Sequence, residues 1–346
     1  MGRKIDIICN DGSPLGVSEK TITGDDGQMG VGGAELALLT MCRAWEMYYN
    51  DVTLYNNPRG GWASSFKQKT LNEFNPKEHR DILIIFRSPN DRLTPYDTEG
   101  KKIWFSCDQY TINDYKVFSK QVDKIVCISP FHAKYFKDIY GIDGVNVIDL
   151  PVRTWEYNDK IPKVPHRCIF TSIPERGLMQ LSVAWPKILA EVPDASLTIT
   201  SDWRLWSQDA SPELVMPYRL AFARIPNINY RAAVKRSELI QIQMEAQLHV
   251  YAAIYEELFC ISVAESQVAG TLPVTSDVGA LATTNMARVI HGVPTDSAWI
   301  DLFVKNTVEL LNDPLLAEKQ EHIREVAMKR FSVETILPQW EALFDG

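Results

Sequence analysis

Short runs rich in β-branched and aromatic residues alternate along the chain with longer stretches in which apolar positions recur about every three to four residues. The first pattern predicts strands at 5–9, 52–55, 82–86, 102–105, 124–128 and 145–148, with helices over 34–49 and 130–140 between them. The rhythm then restarts with strand 167–170, helix 177–190, strand 196–200, helix 237–246, strand 248–251, helix 262–268 and strand 272–275. Helical segments 299–311, 314–330 and 333–344 close the chain. Strands separated by helices make parallel sheets with helices on their faces, so the expected class is α/β, with two Rossmann-like domains. Pro151, Pro162 and Pro165 interrupt every periodicity between the two series and mark the expected linker. The domains are accordingly placed at 1–155 and 156–331, with the terminal helix 332–346 joined to the first. Ligands of open parallel sheets bind outside the carboxyl ends of the strands, so two such sheets facing across a cleft would gather the chemistry there.

Length agrees with this division, since 346 residues exceed what one hydrophobic core comfortably organises. Hydrophobic residues make up 45% and charged residues 23%, which leaves no compositional basis for disorder. A net charge of -8 argues against a broad basic surface for nucleic acid or anionic lipid, while leaving room for a local phosphate pocket. Six cysteines are scattered without a C-x-x-C pair and read as reduced, buried thiols. The chain enters directly on a strand, with no apolar region of a signal peptide, and Asp6 stands where a myristoylation signal needs Ser or Thr. No apolar run is long enough to span a bilayer, so the expectation is a cytoplasmic protein without an integral membrane segment.

The stretch from Tyr255 to Ser266 carries the most chemistry. Glu257 and Glu265 stand eight positions apart, at the two ends of a largely apolar run. A helix starting near Ile261 would turn its first amides, with those of Phe259 and Cys260, back toward Glu257, and a helix N-terminus receives anions. Glu265 would lie about one turn inside, placed to accept from hydroxyls. Carboxylate, amides and carboxylate in a row match a sugar, a diphosphate and a ribose laid end to end. The plainer reading of Glu257 is an acid that favours the helix dipole; Glu265, on an otherwise apolar helix, needs a partner once buried.

Other segments add to this. Arg176, in Thr171-Ser172-Ile173-Pro174-Glu175-Arg176-Gly177, directly follows a strand, where a guanidinium can chelate diphosphate oxygens, and Ser172 with Glu175 matches a capping box. Gly279, after strand 272–275, reads as a tight turn that brings backbone near the ligand. The loop Gly27-Gln28-Met29-Gly30-Val31-Gly32-Gly33-Ala34-Glu35 is not a dinucleotide fingerprint, because Glu35 replaces the third glycine and a long segment separates the loop from the first strand. It remains a glycine-rich approach to the first helix. The chain has no H-E-x-x-H, no Walker loop, no nucleophile elbow, no metal-spaced His/Cys cluster and no Asp-x-Asp pair.

Taken together, Glu257 to Glu265 with Gly270-Thr271-Leu272-Pro273-Val274 resembles the E-x7-E motif of retaining family-4 glycosyltransferases of the GT-B fold. Pro174–Leu178 with Trp185, Gly32-Gly33-Ala34-Glu35, and Val126-Cys127-Ile128-Ser129 with the helix after it are similar to further motifs of that family. The resemblance implies that Glu257 binds donor-sugar hydroxyls, that the amides of Phe259, Cys260 and Ile261 hold sugar or phosphate, that Glu265 binds the ribose and that Arg176 binds the diphosphate. It further implies Gly32 and Gly33 near the donor phosphate or acceptor, and Val234 near the base. Cys260 stands where the family has glycine, and Thr171 and Ser172 stand where its first basic residue would be. The segment Trp104–Gln109 lacks the family's histidine, which leaves Asp108 or Gln109 as the substrate contact there. The implied activity is transfer of a hexose from a nucleoside-diphosphate sugar of the GDP-mannose or UDP-glucose type to an acceptor hydroxyl of a glycan, glycolipid or glycoprotein, with no cofactor and no metal. The expected partners are that donor and a carbohydrate acceptor, and no nucleic acid. The rival readings are a sugar-nucleotide epimerase and a catalytically silent GT-B protein that only binds nucleotide sugar.

Overall fold

The computed structural model describes residues 2–9, 16–25, 30–48, 50–58, 64–87, 98–109, 114–206 and 210–346. Gly27, Gln28 and Met29 of the glycine-rich loop and Tyr49 at the end of the first expected helix lie outside them. One compact unit comprises Met1–Gly27, Gly33–Pro151 and Val333–Gly346, and the main span of the other is Val152–Ser332.

Among the described residues, the first unit has seven strands: β1 (Lys4–Ile8), β2 (Asp51–Tyr55), β3 (Lys67–Lys69), β4 (Ile82–Phe86), β5 (Lys101–Phe105), β6 (Lys124–Cys127) and β7 (Asn146–Val147). All pair in parallel, in the order β3-β2-β1-β4-β5-β6-β7. β4, Ile-Leu-Ile-Ile-Phe, is buried at every position, as a central parallel strand covered on both faces must be. Its helices up to Pro151 are α1 (Glu19–Thr23), α2 (Gly33–Met47), α3 (Tyr115–Ser119) and α4 (Pro130–Tyr135). Ser129 caps α4 by accepting from the His132 amide at 3.0 Å, and Pro130 follows at the first helical position, where its missing N–H costs nothing. The helical stretch expected to Tyr140 continues past α4 as one π turn, Phe136–Tyr140, and stops at Gly141 (φ 62).

The second unit repeats the pattern with β8 (Arg167–Phe170), β9 (Ser196–Ile199), β10 (Ile228–Tyr230), β11 (Leu248–Tyr251), β12 (Leu272–Ser276) and β13 (Arg288–Ile290). These are again all parallel, in the order β10-β9-β8-β11-β12-β13. Between and after them run α5 (Leu178–Glu191), α6 (Pro212–Phe222), α7 (Arg236–Glu245), α8 (Ile261–Val268), α9 (Leu281–Thr284), α10 (Ser297–Leu311) and α11 (Leu316–Arg330). Leu178, Leu181, Trp185 and Ile188, one stripe of α5, are fully buried in its core. The proline-interrupted stretch is packed rather than free. The Val152 amide bonds Phe331 O at 2.8 Å, Thr154–Tyr157 form one 3-10 turn, and the Val164 amide bonds Glu245 O at 2.8 Å. The chain ends in α12 (Val333–Asp345), part of the first unit, where Trp340 meets Trp45 edge-on at 5.3 Å and Phe105 at 4.9 Å.

The elements that periodicity left unmarked are short or interrupted. β3, β10 and β13 have three residues each, too few to show alternation, and exist because a neighbouring strand pairs with them. α6 carries Pro217 in its interior, which breaks the expected pattern. Among the described residues no helix is long and apolar enough to cross a membrane. Because Trp340 is buried against the rings of Trp45, Phe105 and Phe344, Trp340→Ala is expected to destabilise the chain by about 3–5 kcal/mol, read as a lower urea midpoint.

Candidate functional site

Arg176, Glu257 and Gly279 each follow a strand of the second sheet, β8, β11 and β12 in turn. Arg176 closes the 3-10 turn Pro174–Arg176. Gly177 follows at φ 129, and a Cβ there would lie 2.2 Å from the carbonyl oxygen of Ala252, just beyond β11. Only glycine lets the turn pass so close to that backbone. The capping box expected from Ser172 and Glu175 does not form, because α5 begins only at Leu178 with Gly177 as its N-cap. The Ser172 hydroxyl lies instead 3.2 Å from the hydroxyl of Tyr251.

Glu257 is buried, and both its carboxylate oxygens lie 2.9 Å from Nη1 of Arg176. Tyr251, at the end of β11, donates its hydroxyl to Oε1 at 2.6 Å. The guanidinium also lies 4.3 Å from the centre of the Tyr255 ring. Burial opposes the charge on Arg176, but Glu257 beside it prevails and its pKa is raised. Burial, with Glu257 in contact, pushes the Tyr251 hydroxyl well above its ordinary value, so it stays a donor at neutral pH. Gly279 sits against the backbone of Glu257: its φ is 66, a Cβ would lie 2.4 Å from Glu257 O, and the next amide, Ala280, bonds that oxygen at 2.6 Å. In this place the glycine lets the segment after β12 lie against the Glu257 backbone.

Helix α8 starts at Ile261, where the site reading places its first amides, with Cys260 as its N-cap. Cys260 has φ 73 and ψ 78, the left-handed region that favours glycine, so the chain keeps a glycine-like turn with a cysteine in it. The amides of Val263 and Ala264 bond back to Cys260 O, whereas Ile261 and Ser262, as the first helical residues, have no carbonyl a turn behind them. Phe259 is buried edge-on to Phe331 at 5.8 Å, so only its backbone can serve a ligand.

Glu265 is buried on α8 and has a protein partner: Nη1 of Arg236 lies 2.6 Å from its Oε1, and Gln243 reaches Oε2 at 3.5 Å. Arg236 also bonds Glu156 at 2.8 Å, and Glu156 accepts from Arg153 at 2.6 Å. Burial works against the Arg236 charge, yet Glu265, Tyr157 and Glu156 together raise its pKa. Val234 is buried in the turn before α7. Near that turn, Ser201, Asp202, Trp203, Tyr230 and Ala232 line a cavity of about 210 Å³. A larger cavity, about 500 Å³, includes Arg167 and Arg231, but these are paired with Glu245 and Glu238.

Of the remaining expected residues, Gly33, Asp108 and Gln109 belong to the first unit, and Gly32 is grouped with the second. Gly32 and Gly33 lead into α2, whose Glu35 accepts from Nη1 of Arg87 at 2.7 Å. Arg87, just after β4 at φ 62, also grips Asp108 with Nη2 at 2.7 Å and Nε at 3.1 Å. Gln109 accepts through its carbonyl from the Tyr140 hydroxyl. Sequence reasoning missed Arg87, Arg236 and Tyr251. Two of these leave a signal, since Arg87 follows the carboxyl end of β4 and Tyr251 ends β11, where ligands of such sheets bind. Arg236 leaves none, because its partners come from elements remote in the chain.

No protein-family model and no curated protein sequence matches the chain. Solved structures do. A glycosyltransferase from Rickettsia africae is 14% identical, with 99% of this chain and 98% of that chain covered at a TM-score of 0.72. The sucrose-phosphate synthase of Thermosynechococcus elongatus is 13% identical, with 99% and 98% covered at 0.73. Anabaena HepE, solved in complex with UDP-glucose, is 13% identical, with 99% and 100% covered at 0.69. These neighbours are GT-B glycosyltransferases, and the fold of two parallel-sheet α/β units is theirs.

Two expectations follow for stability. At φ 73 a β-branched side chain is far more strained than cysteine, so Cys260→Val is expected to cost about 2 kcal/mol or more while Cys260→Gly stays within about 1 kcal/mol, by denaturant melts. His249 is fully buried, its Nδ1 2.9 Å from the Ser266 hydroxyl, and burial lowers its pKa from 6.5 to about 3. The unfolded chain therefore binds this proton where the native chain does not. Its contribution is complete above 6.5 and is lost as pH falls toward 3. Urea melts across that window should show a shallower pH slope for His249→Gln than for the unaltered protein.

Proposed function

We propose that the second unit binds a nucleoside-diphosphate sugar and that the chain is a retaining glycosyltransferase moving a hexose to an acceptor hydroxyl. The observation that carries this is the pairing of the partly exposed Arg176 with the buried Glu257 beside the N-terminus of α8, a cation and a carboxylate held together at strand ends. Glu257 would accept sugar hydroxyls, and Arg176 with the amides of Phe259, Cys260 and Ile261 would take the diphosphate. Oε2 of Glu265, which meets Gln243 only at 3.5 Å, has lone-pair capacity for ribose hydroxyls. The 210 Å³ cavity near Val234 has Trp203 and Tyr230 in its lining, aromatic surfaces suited to a base. The UDP-glucose in the similar HepE structure supports the donor class.

In this reading the acceptor oxygen attacks the anomeric carbon on the face from which the diphosphate leaves. The departing phosphate oxygen takes the acceptor proton, so configuration is retained and no protein nucleophile is needed. Arg176 and the α8 amides would stabilise the charge that builds on the leaving group, without a metal. Asp108 or Gln109 in the first unit would touch the acceptor, and Gly32 and Gly33 would let backbone approach the donor phosphate or acceptor. A hexose of the GDP-mannose or UDP-glucose type is the donor proposed.

Calorimetry with GDP-, UDP- and ADP-sugars and the bare nucleotides, followed by an assay for slow donor hydrolysis, tests the reading. One nucleotide series should bind, Glu265→Gln should weaken bare nucleotide and nucleotide sugar alike by roughly tenfold, and Glu257→Ala should abolish the increment due to the sugar without weakening bare nucleotide. Absence of binding across the panel would sink the proposal. Binding with neither hydrolysis nor transfer would leave a nucleotide-sugar-binding protein.

A further inference from the structure

Glu257 and Arg176 are each assigned to a different part of the donor, yet they hold each other. One NH₂ group of the guanidinium spans both carboxylate oxygens at 2.9 Å, and the Tyr251 hydroxyl takes a further position on Oε1. A carboxylate offers about four lone-pair sites, so three contacts leave little for sugar hydroxyls. The two partners differ in access: the Glu257 side chain is 6% exposed and that of Arg176 is 23% exposed. A ligand therefore reaches the cation first.

We infer that sugar recognition at this site is conditional on a diphosphate, which draws the Arg176 guanidinium off Glu257 and so frees the carboxylate to accept sugar hydroxyls. The inference rests on the donor-binding reading above. A diphosphate competes well for the guanidinium, because it carries more charge than one carboxylate and accepts paired N–H donors in the same planar fork. Tyr251 is the positioning residue of the exchange. Its ring stacks on His249 with centroids 5.6 Å apart, and its hydroxyl lies 3.2 Å from that of Ser172, so it stays in place when the arginine moves. The Glu257 backbone is equally fixed, pinned by Gly279 and the Ala280 amide. A free hexose, lacking phosphate, meets a carboxylate that is already occupied, which keeps the site from filling with unactivated sugar.

The test is calorimetry of bare UDP, GDP and ADP on the full chain and on Glu257→Gln. The amide keeps the shape of the carboxylate but cannot balance the guanidinium charge, so whichever nucleotide the unaltered protein binds should bind the variant roughly five- to tenfold more tightly. Equal or weaker binding to a variant that melts cooperatively overturns the inference. Should Glu257→Gln fail to fold, saturation-transfer NMR on the unaltered protein decides with free glucose and free mannose as probes. Hexose signals are expected only when UDP, GDP or ADP is present, and equal signals without nucleotide overturn the inference. If the unaltered protein binds none of UDP, GDP and ADP, the donor-binding reading itself falls and takes this inference with it. Nucleotide binding without the gain in affinity removes this inference alone.

Discussion

The contact between Arg176 and Glu257 is the constraint around which the second unit's strand ends are arranged. The carboxylate is withdrawn from water and the guanidinium is largely so, and such a pair is sustained only when its geometry is good and its remaining polar capacity is met. The backbone supplies that geometry at two glycines. Gly177 lets the turn bearing Arg176 pass within van der Waals contact of Ala252, and Gly279 lets the segment after β12 lie against Glu257. Tyr251 then satisfies a carboxylate oxygen from below, and Tyr255 covers the guanidinium. Removing the cation would leave the buried carboxylate without its counter-charge, so the pair is either kept whole or exchanged for a ligand of matching charge.

A second buried chain of charges lies deeper along α8. Arg153, Glu156, Arg236 and Glu265 alternate in sign and join the segment that opens the unit to the start of α7 and the middle of α8. Alternation leaves no net buried charge, and Tyr157, Gln243 and Arg324 add hydrogen bonds along the same path. The proline-interrupted stretch is therefore fixed to the unit from its first residues. Its prolines end the periodicity of the sequence without releasing the backbone.

Most of the fold was legible because a parallel strand buried on both faces must be a continuous apolar run, as Ile82–Phe86 is, and because the helices between strands carry a stripe such as Leu178, Leu181, Trp185 and Ile188. Strands β3, β10 and β13 were not legible, since three residues carry no period and their pairing is supplied by a neighbour. In the site, Arg176, Glu257, Cys260 and Gly279 were picked out by residue type and by their places after strands, and they lie together. The carboxylate of Glu265 was recognised as needing a partner, but the partner, Arg236, comes from another helix. Asp108 was recognised without Arg87, which ties it to Glu35 in the first turn of α2.

Cys260 marks the boundary between what the chain announces and what folding decides. Sequence alone established two α/β units, the E-x7-E spacing of Glu257 and Glu265, and a cysteine where a glycine was expected. These are local properties, set by period and by order along the chain. Only the tertiary structure decided that Cys260 adopts the left-handed backbone, that Arg176 and Glu257 occupy each other, and that Glu265 is shared with Arg236. Each of those outcomes depends on which groups from distant segments are close enough to compete for one hydrogen-bonding atom, and distance in space is not written in the order of residues.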